Sequence, residues 1–277
     1  MSTTLSPQWR RVKIGAPILP NAGNAAAYRK ALECLIESMN RSLEYWLIAR
    51  WRDRPPSLAM DEVLIGGHGW IGLLRRSMRE LARRWQSRFD EAAPKLAAHF
   101  AMRAEERSTK RLAAILDDAG MTVNFKVTPR VRTAMGAAVT ENVGLIKSIA
   151  SEHLTDIEGI VMRSAALGRD LETMATELRV RFDVPKRRAA FIARDQSNKM
   201  NAVITKVRQL EAGINTAVWV HSHAGKVPRP EHVAFSRGQL GGPEYDVTKG
   251  AYLEGVWTWP GHRPGCRCFS RPVLPGF

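Results

Sequence analysis

Up to Gly213 the apolar residues of this chain recur at steps of three and four, and beyond Gly213 that period disappears. Such steps line one face of an α-helix, whereas a stretch rich in Gly and Pro folds as turns and short strands. The change predicts an α+β fold that is mostly α-helical, with a helical N-terminal region and a C-terminal module of helices plus a few short strands. With 277 residues, 44% of them hydrophobic, the chain has enough apolar material for a packed core and for more than one domain.

Residues 1–24 read as a basic irregular arm, punctuated by Pro7, Gly15, Pro17, Pro20 and Gly23 and charged by Arg10, Arg11 and Lys13. A helix is expected over about 25–52, with Tyr28, Leu32, Leu35, Met39, Leu43, Trp46 and Leu47 as its apolar stripe and Pro55-Pro56 beyond its end. Cys34 lies inside it with no neighbour that marks a nucleophile. Gly66-Gly67-His68-Gly69 is a joint without the Lys-Ser/Thr ending of a nucleotide-binding loop. Helix resumes over about 70–89, with Leu74, Met78, Leu81 and Trp85 on one face, and continues from Asp90 to Asp118. Pro94 then sits in a first turn or at a kink, and Gly120 caps the end. Residues 121–127 read as a short strand or extended linker, which places a boundary between a helical region 25–120 and a module 121–277. That module opens with helices over 130–150 and 155–167 and a third marked by Leu171, Met174, Ala175 and Leu178. A long helix with Pro185 in its first turn follows and ends near Gly213. Thr216 to His221 reads as a strand, and short β-like pieces are expected around Tyr252 to Trp259.

The net charge of +15 favours a polyanionic partner. The sharpest concentration is Arg75, Arg76, Arg79, Arg83, Arg84 and Arg88 on one helix, against Glu80 alone. Such a stripe suits the phosphates of double-stranded DNA, an acidic protein surface, or plain solvation. Aromatic content is low, which argues against a binder that stacks single-stranded bases. No apolar run reaches the ~20 residues of a membrane helix and none near the start resembles a secretory signal, so no membrane association is expected. Three cysteines, two of them with a single residue between, fit a reducing cytoplasm.

Polar chemistry gathers near the end: His221, His223, His232, His262, Cys266 and Cys268 make four of the 7 histidines and two of the 3 cysteines. Residues two apart on an extended strand point the same way, so His221 with His223, and Cys266 with Cys268, form candidate ligand pairs. His223, His232, Cys266 and Cys268 are the soft and borderline donors a tetrahedral zinc ion takes, and a segment poor in regular structure gains folding free energy from such an ion. One residue between the cysteines is tighter than the usual two to four, so buried thiols and hydrogen-bonding histidines are the alternative. A redox pair lacks the Cys-x-x-Cys spacing. A structural zinc is therefore the one cofactor the sequence admits; none is otherwise expected. A metal-dependent nuclease would need clustered carboxylates, and the last stretch offers only Glu231, Glu244, Asp246 and Glu254. No catalytic residue is assigned.

Several of these segments, taken in order, resemble the phage Mu F-like head morphogenesis family. The helix from Ala190 to Lys199, with Arg194 in it, and the Gly168 to Met174 stretch before it are similar to the family's paired helices. Trp219 resembles its strand tryptophan, Arg229-Pro-Glu-His232 its Arg-x-x-His element, and Phe235 to Gly238 the stretch leading to a glycine. Pro260 to Cys268 resembles its proline-rich ending on Cys266-Arg267-Cys268. The resemblance spans about 150–275. Where the family has an acidic residue between the tryptophan and Arg-x-x-His, this chain has Ala224-Gly225-Lys226. It implies a minor head protein made in the host cytoplasm and carried in the virion, near the portal or capsid interior. The implied partners are the portal protein, major capsid or scaffold proteins, and packaged DNA. It implies no established catalytic activity. A stand-alone basic DNA-binding protein is the alternative, and a metal-dependent nuclease the more remote one.

Overall fold

A computed structural model describes residues 13–53 and 70–274. The expected arm residues Arg10 and Arg11, Pro55-Pro56 and the Gly66 to Gly69 joint lie outside the described residues. Six helices and six short strands follow in the order β1 (Lys13–Ile14), α1 (Ala22–Asp53), α2 (Trp70–Asp117), α3 (Pro129–Ala166), α4 (Leu171–Arg181), α5 (Asp183–Glu211), β2 (Thr216–Val220), α6 (Pro230–Ser236), β3 (Glu244–Asp246), β4 (Ala251–Leu253), β5 (Val256–Thr258) and β6 (Phe269–Leu274). The fold is thus α+β and mostly helical. Among the described residues no helix is long and apolar enough to cross a membrane.

The chain forms two compact units, each assembled from separate stretches. One comprises the described residues of 25–100 and 139–194; the other comprises those of 1–24, 101–138 and 195–277. A cut near residue 120 therefore falls within the second unit, because α2 and α3 each supply a stretch to both.

The first unit is helical. Leu32, Ile36, Met39, Leu43, Leu47 and Trp51 form the buried stripe of α1, while Leu35 is half-buried and Trp46 is 43% exposed. Tyr28, Leu32, Met39, Leu43 and Leu47 are buried as their spacing requires, while Ile36 and Trp51 take the places expected of Leu35 and Trp46. Tyr28 stacks on Phe100 at 4.4 Å and Trp51 meets Trp70 edge-on at 5.0 Å. The start of α1 meets the far part of α2 and its end meets the start of α2, so the two run antiparallel. Leu74, Met78, Leu81 and Trp85 are buried as their spacing requires. Pro94 lies inside α2, which continues through it. The expected break between 150 and 155 does not occur: Ser151-Glu-His-Leu holds no Gly or Pro, and His153 and Leu154 are buried on the inner face of a continuous α3.

The second unit holds the strands. β1, β6, β2 and β3 form one antiparallel sheet in that order, and β4 and β5 form a separate hairpin. β6 is the central link, pairing Trp219↔Ser270 and Val220↔Phe269 on one side and Lys13↔Leu274 on the other. Residues 121–127 form no strand; they run as irregular chain from which Met121, Val123 and Phe125 pack onto Ile115, Leu116 and Ile214. Alternation in β2 buries Ala217 and Trp219 and turns Val218 and Val220 partly outward.

Candidate metal centre

Three elements of the second unit converge on one buried cluster. β2 delivers Trp219, fully buried at the middle of the cluster. α6 then begins at Pro230, whose fixed φ and missing N–H suit a first helical position. His232 and Phe235, three apart and therefore on one face, are its buried residues. Their rings meet Trp219 edge-on, at 5.0 Å for His232 and 5.9 Å for Phe235. Gly238 closes the helix in the left-handed region at φ 84, letting Gln239 N–H bond back to the Ala234 carbonyl.

The third element is the segment entering β6. Cys266 and Cys268 are buried while Arg267 between them is not, the alternation of extended chain. Both thiols therefore face His232. Its Nδ1 lies 3.5 Å from Cys266 Sγ and 3.7 Å from Cys268 Sγ, and the three candidate ligand atoms all lie within 4.8 Å of one another. For Zn–S of about 2.3 Å and Zn–N of about 2.0 Å, a tetrahedral S···N edge is roughly 3.6 Å. The two S···N separations match that edge, and the group could hold a metal ion. The close cysteine spacing is workable because Cys266 and Cys268 are both buried on the His232 side while Arg267 between them is not.

The Cys268 thiol donates to Cys266 and draws its ionisation well below the ordinary thiol range, while burial opposes this. The same bond, reinforced by burial, holds the proton on Cys268. His232 Nε2 is buried with no hydrogen-bond partner among the described residues.

His223, expected as a ligand, is not in this group. Its strand ends at Val220, and His223 adopts φ 54, so the two-residue alternation stops short of it. It is exposed; its backbone N–H donates to His221 Nδ1 at 3.2 Å, and the two rings pack edge-on at 4.6 Å. His221 is buried, and burial followed by the nearby His223 pushes its protonation below the ordinary range.

The residues singled out by resemblance brace the cluster in several ways. Arg229 donates to the Pro264 carbonyl at 2.9 Å and pairs with Glu254 at 3.1 Å. Arg267 donates to the Ala224 carbonyl, and Pro260 is buried. Gly261 has φ 84, and a Cβ there would lie 3.2 Å from the Asn198 and Cys268 carbonyls, so only glycine lets these backbones approach. Arg194 stands apart: it is exposed in the first unit, its guanidinium 5.8 Å over the Phe191 ring. The residue beside it, Asp195, is the one sequence reasoning missed. It is buried, accepts the Gly265 N–H at 2.5 Å and pairs with Lys199 at 3.4 Å, tying α5 to the cysteine segment. An acidic residue at an inward position of an otherwise amphipathic helix was its only signal.

The arginine stripe on α2 lies in the first unit. Arg75, Arg76, Arg79, Arg83, Arg84 and Arg88 are all exposed, and none pairs with a carboxylate among the described residues. Arg88 covers the Trp85 ring at 4.8 Å.

No protein-family description matches the chain, and no solved structure does. The chain is similar to a protein of Haemophilus influenzae described as uncharacterized, at 25% identity over 277 residues that cover 98% of this chain. It spans 58% of that relative's length.

Proposed function

We propose that this chain acts in phage head morphogenesis as a minor head protein of the Mu F-like type, and that a structural zinc ion held by His232, Cys266 and Cys268 fastens its C-terminal module. One observation carries the reading. Trp219, His232, Cys266 and Cys268, which carry the resemblance at scattered positions, are packed into one buried cluster braced by Arg229 and Asp195. Residues that converge this way act as one packed unit, and this supports the reading. Nothing at the cluster requires catalysis: its groups are buried, and a metal there supplies folding free energy.

In this reading the partners are the portal, capsid or scaffold proteins, with packaged duplex DNA against the arginine stripe, and the protein resides in the virion. The direct test is co-expression with a phage portal and scaffold protein, followed by sedimentation of procapsids. The chain is expected to sediment with them in few copies; heads that assemble normally without it overturn the reading. The zinc is tested separately by elemental analysis of the purified protein, with about one ion per chain expected. Replacing both Cys266→Ser and Cys268→Ser is expected to abolish metal binding and lower the melting temperature. A metal-free wild-type protein with unchanged melting in the double variant rejects the zinc.

A second reading, a stand-alone duplex-binding protein, is favoured by the six exposed arginines alone. It differs in expecting tight DNA binding with no association with heads.

A further inference from the structure

A cavity of about 460 Å³ lies in the second unit, lined by α3, α5 and the segment after β5. Its size is that of a pocket that buries a small ligand or a peptide side chain. Ala134, Val203, Val207 and Leu210 give it an apolar floor. Its polar groups are Arg130, Thr133, Lys206 and His262, with no carboxylate in the lining. Lys206 Nζ sits 3.4 Å from the centroid of the Trp259 ring, which fixes the ammonium in place.

The cations elsewhere on this stretch of α5 are matched. Lys199 pairs with Asp195, and Arg208 pairs with Glu105 and Glu211. Lys206 and Arg130 pair with no carboxylate among the described residues. Burial pushes the Lys206 ammonium towards its neutral form, and the Arg130 charge pushes the same way. An anion placed between them relieves both effects.

The surroundings favour a macromolecular source for that anion. Tyr252 and Trp257 are direct cross-strand partners on the β4–β5 hairpin, 60% and 57% exposed, with ring centroids 5.5 Å apart. Trp257 is two residues from Trp259, at most about 7 Å along the chain. An exposed aromatic pair next to a pocket is the composition of a protein-binding surface, and a small ligand would leave it uncovered. A nucleic-acid backbone would meet the cations and leave the apolar floor wet.

The geometry points to this cleft as the docking site for an acidic segment of a protein partner. Its carboxylate lies between Arg130 and Lys206, and a large apolar side chain rests on Val203, Val207 and Leu210. The site stands apart from the head-assembly reading, and either can fail alone: peptide binding tests one, procapsid association the other.

The test is fluorescence anisotropy on the full chain with a short fluorescein-labelled peptide alternating Asp or Glu with Leu and Phe. Saturable binding is expected, and Arg130→Gln, Lys206→Gln, or Asn and Gln in the peptide each weaken it about tenfold or more. Lys206→Arg keeps most of the affinity, and Lys110→Gln, which removes the same charge at an exposed site elsewhere, leaves it unchanged. Arg130 is exposed, so its variant folds even if the Lys206→Gln protein does not. Absence of saturable binding, equal weakening by Lys110→Gln, or displacement of the peptide by a duplex oligonucleotide that depends on Arg130 overturns the proposal.

Discussion

His153 illustrates how a single side chain couples this fold to pH. It is buried on α3, its Nε2 2.9 Å from Asn40 Oδ1, and Asn40 in turn donates to the Phe182 carbonyl. Burial lowers its pKa from 6.5 to about 4, the nearby Asp156 opposing this and Arg181 reinforcing it. The unfolded chain therefore takes up a proton below pH 6.5 that the folded chain refuses until about pH 4. Stability is full above 6.5 and falls as the pH drops through that window, by an amount of ~3 kcal/mol. Urea melts at a series of pH values are expected to show a steeper acid loss for the wild type than for His153→Leu, with the difference confined to this window. Parallel curves for the two proteins would place the acid sensitivity elsewhere.

At the scale of the element, α5 is the spine of the second unit. Its Arg208 is 1% exposed and has a full set of partners: Glu105 and Glu211 as ion pairs, the Thr109 hydroxyl at 3.0 Å and the Lys126 carbonyl at 2.8 Å. Its guanidinium also lies 5.1 Å over the Phe125 ring. The planar fork thus joins α5 to α2 and to the irregular 121–127 segment, which has no ladder of its own. Removing one partner of a buried ion network strands the others. Arg208→Ala is therefore expected to cost about 3–5 kcal/mol in denaturant unfolding. Arg208→Lys should recover only part of this, since an ammonium offers three donors from one point and lacks the planar fork that reaches four acceptors here. A loss under about 1 kcal/mol for Arg208→Ala would mean that the network is solvated and not structural. The same scale explains why α6 escapes sequence reading. It is seven residues long within a stretch dense in Gly and Pro, too short for a period to register, and Pro230 was its one local mark.

At the scale of the molecule, charge dominates. The +15 surplus and the exposed α2 arginines present a field that any polyanion will feel, whatever assembly the chain joins. If that stripe meets duplex DNA, log K falls linearly with log salt, with a slope of about −0.9 for each phosphate neutralised. Replacing Arg75, Arg79 and Arg83 by Gln together is expected to flatten the slope by about 2 to 3 and to leave sequence preference unchanged. Filter binding across a salt series measures this. An unaltered slope would assign the stripe to a protein partner or to solvent.

The sequence alone determined the helices before Gly213, apart from the break it placed inside α3, and the strand pieces at β2, β4 and β5, because helical period and capping are local properties legible within a short window. It placed Leu74, Met78, Leu81 and Trp85 inward, and Gly120 and Gly213 adopt the positive φ of helix ends, 84 and 73. It also drew attention to the His and Cys residues near the end. Only the tertiary structure decided which of them meet. β1 pairs with β6 between Lys13 and Leu274, a contact no local window contains. His223 leaves the cluster because its strand stops at Val220, while His232 enters it because α6 packs on Trp219. Cys266 and Cys268 meet a third ligand atom only because α6 sets His232 across from them. Each of these depends on where distant segments are brought, and that is set by the burial of the whole core and not by the residues next in line.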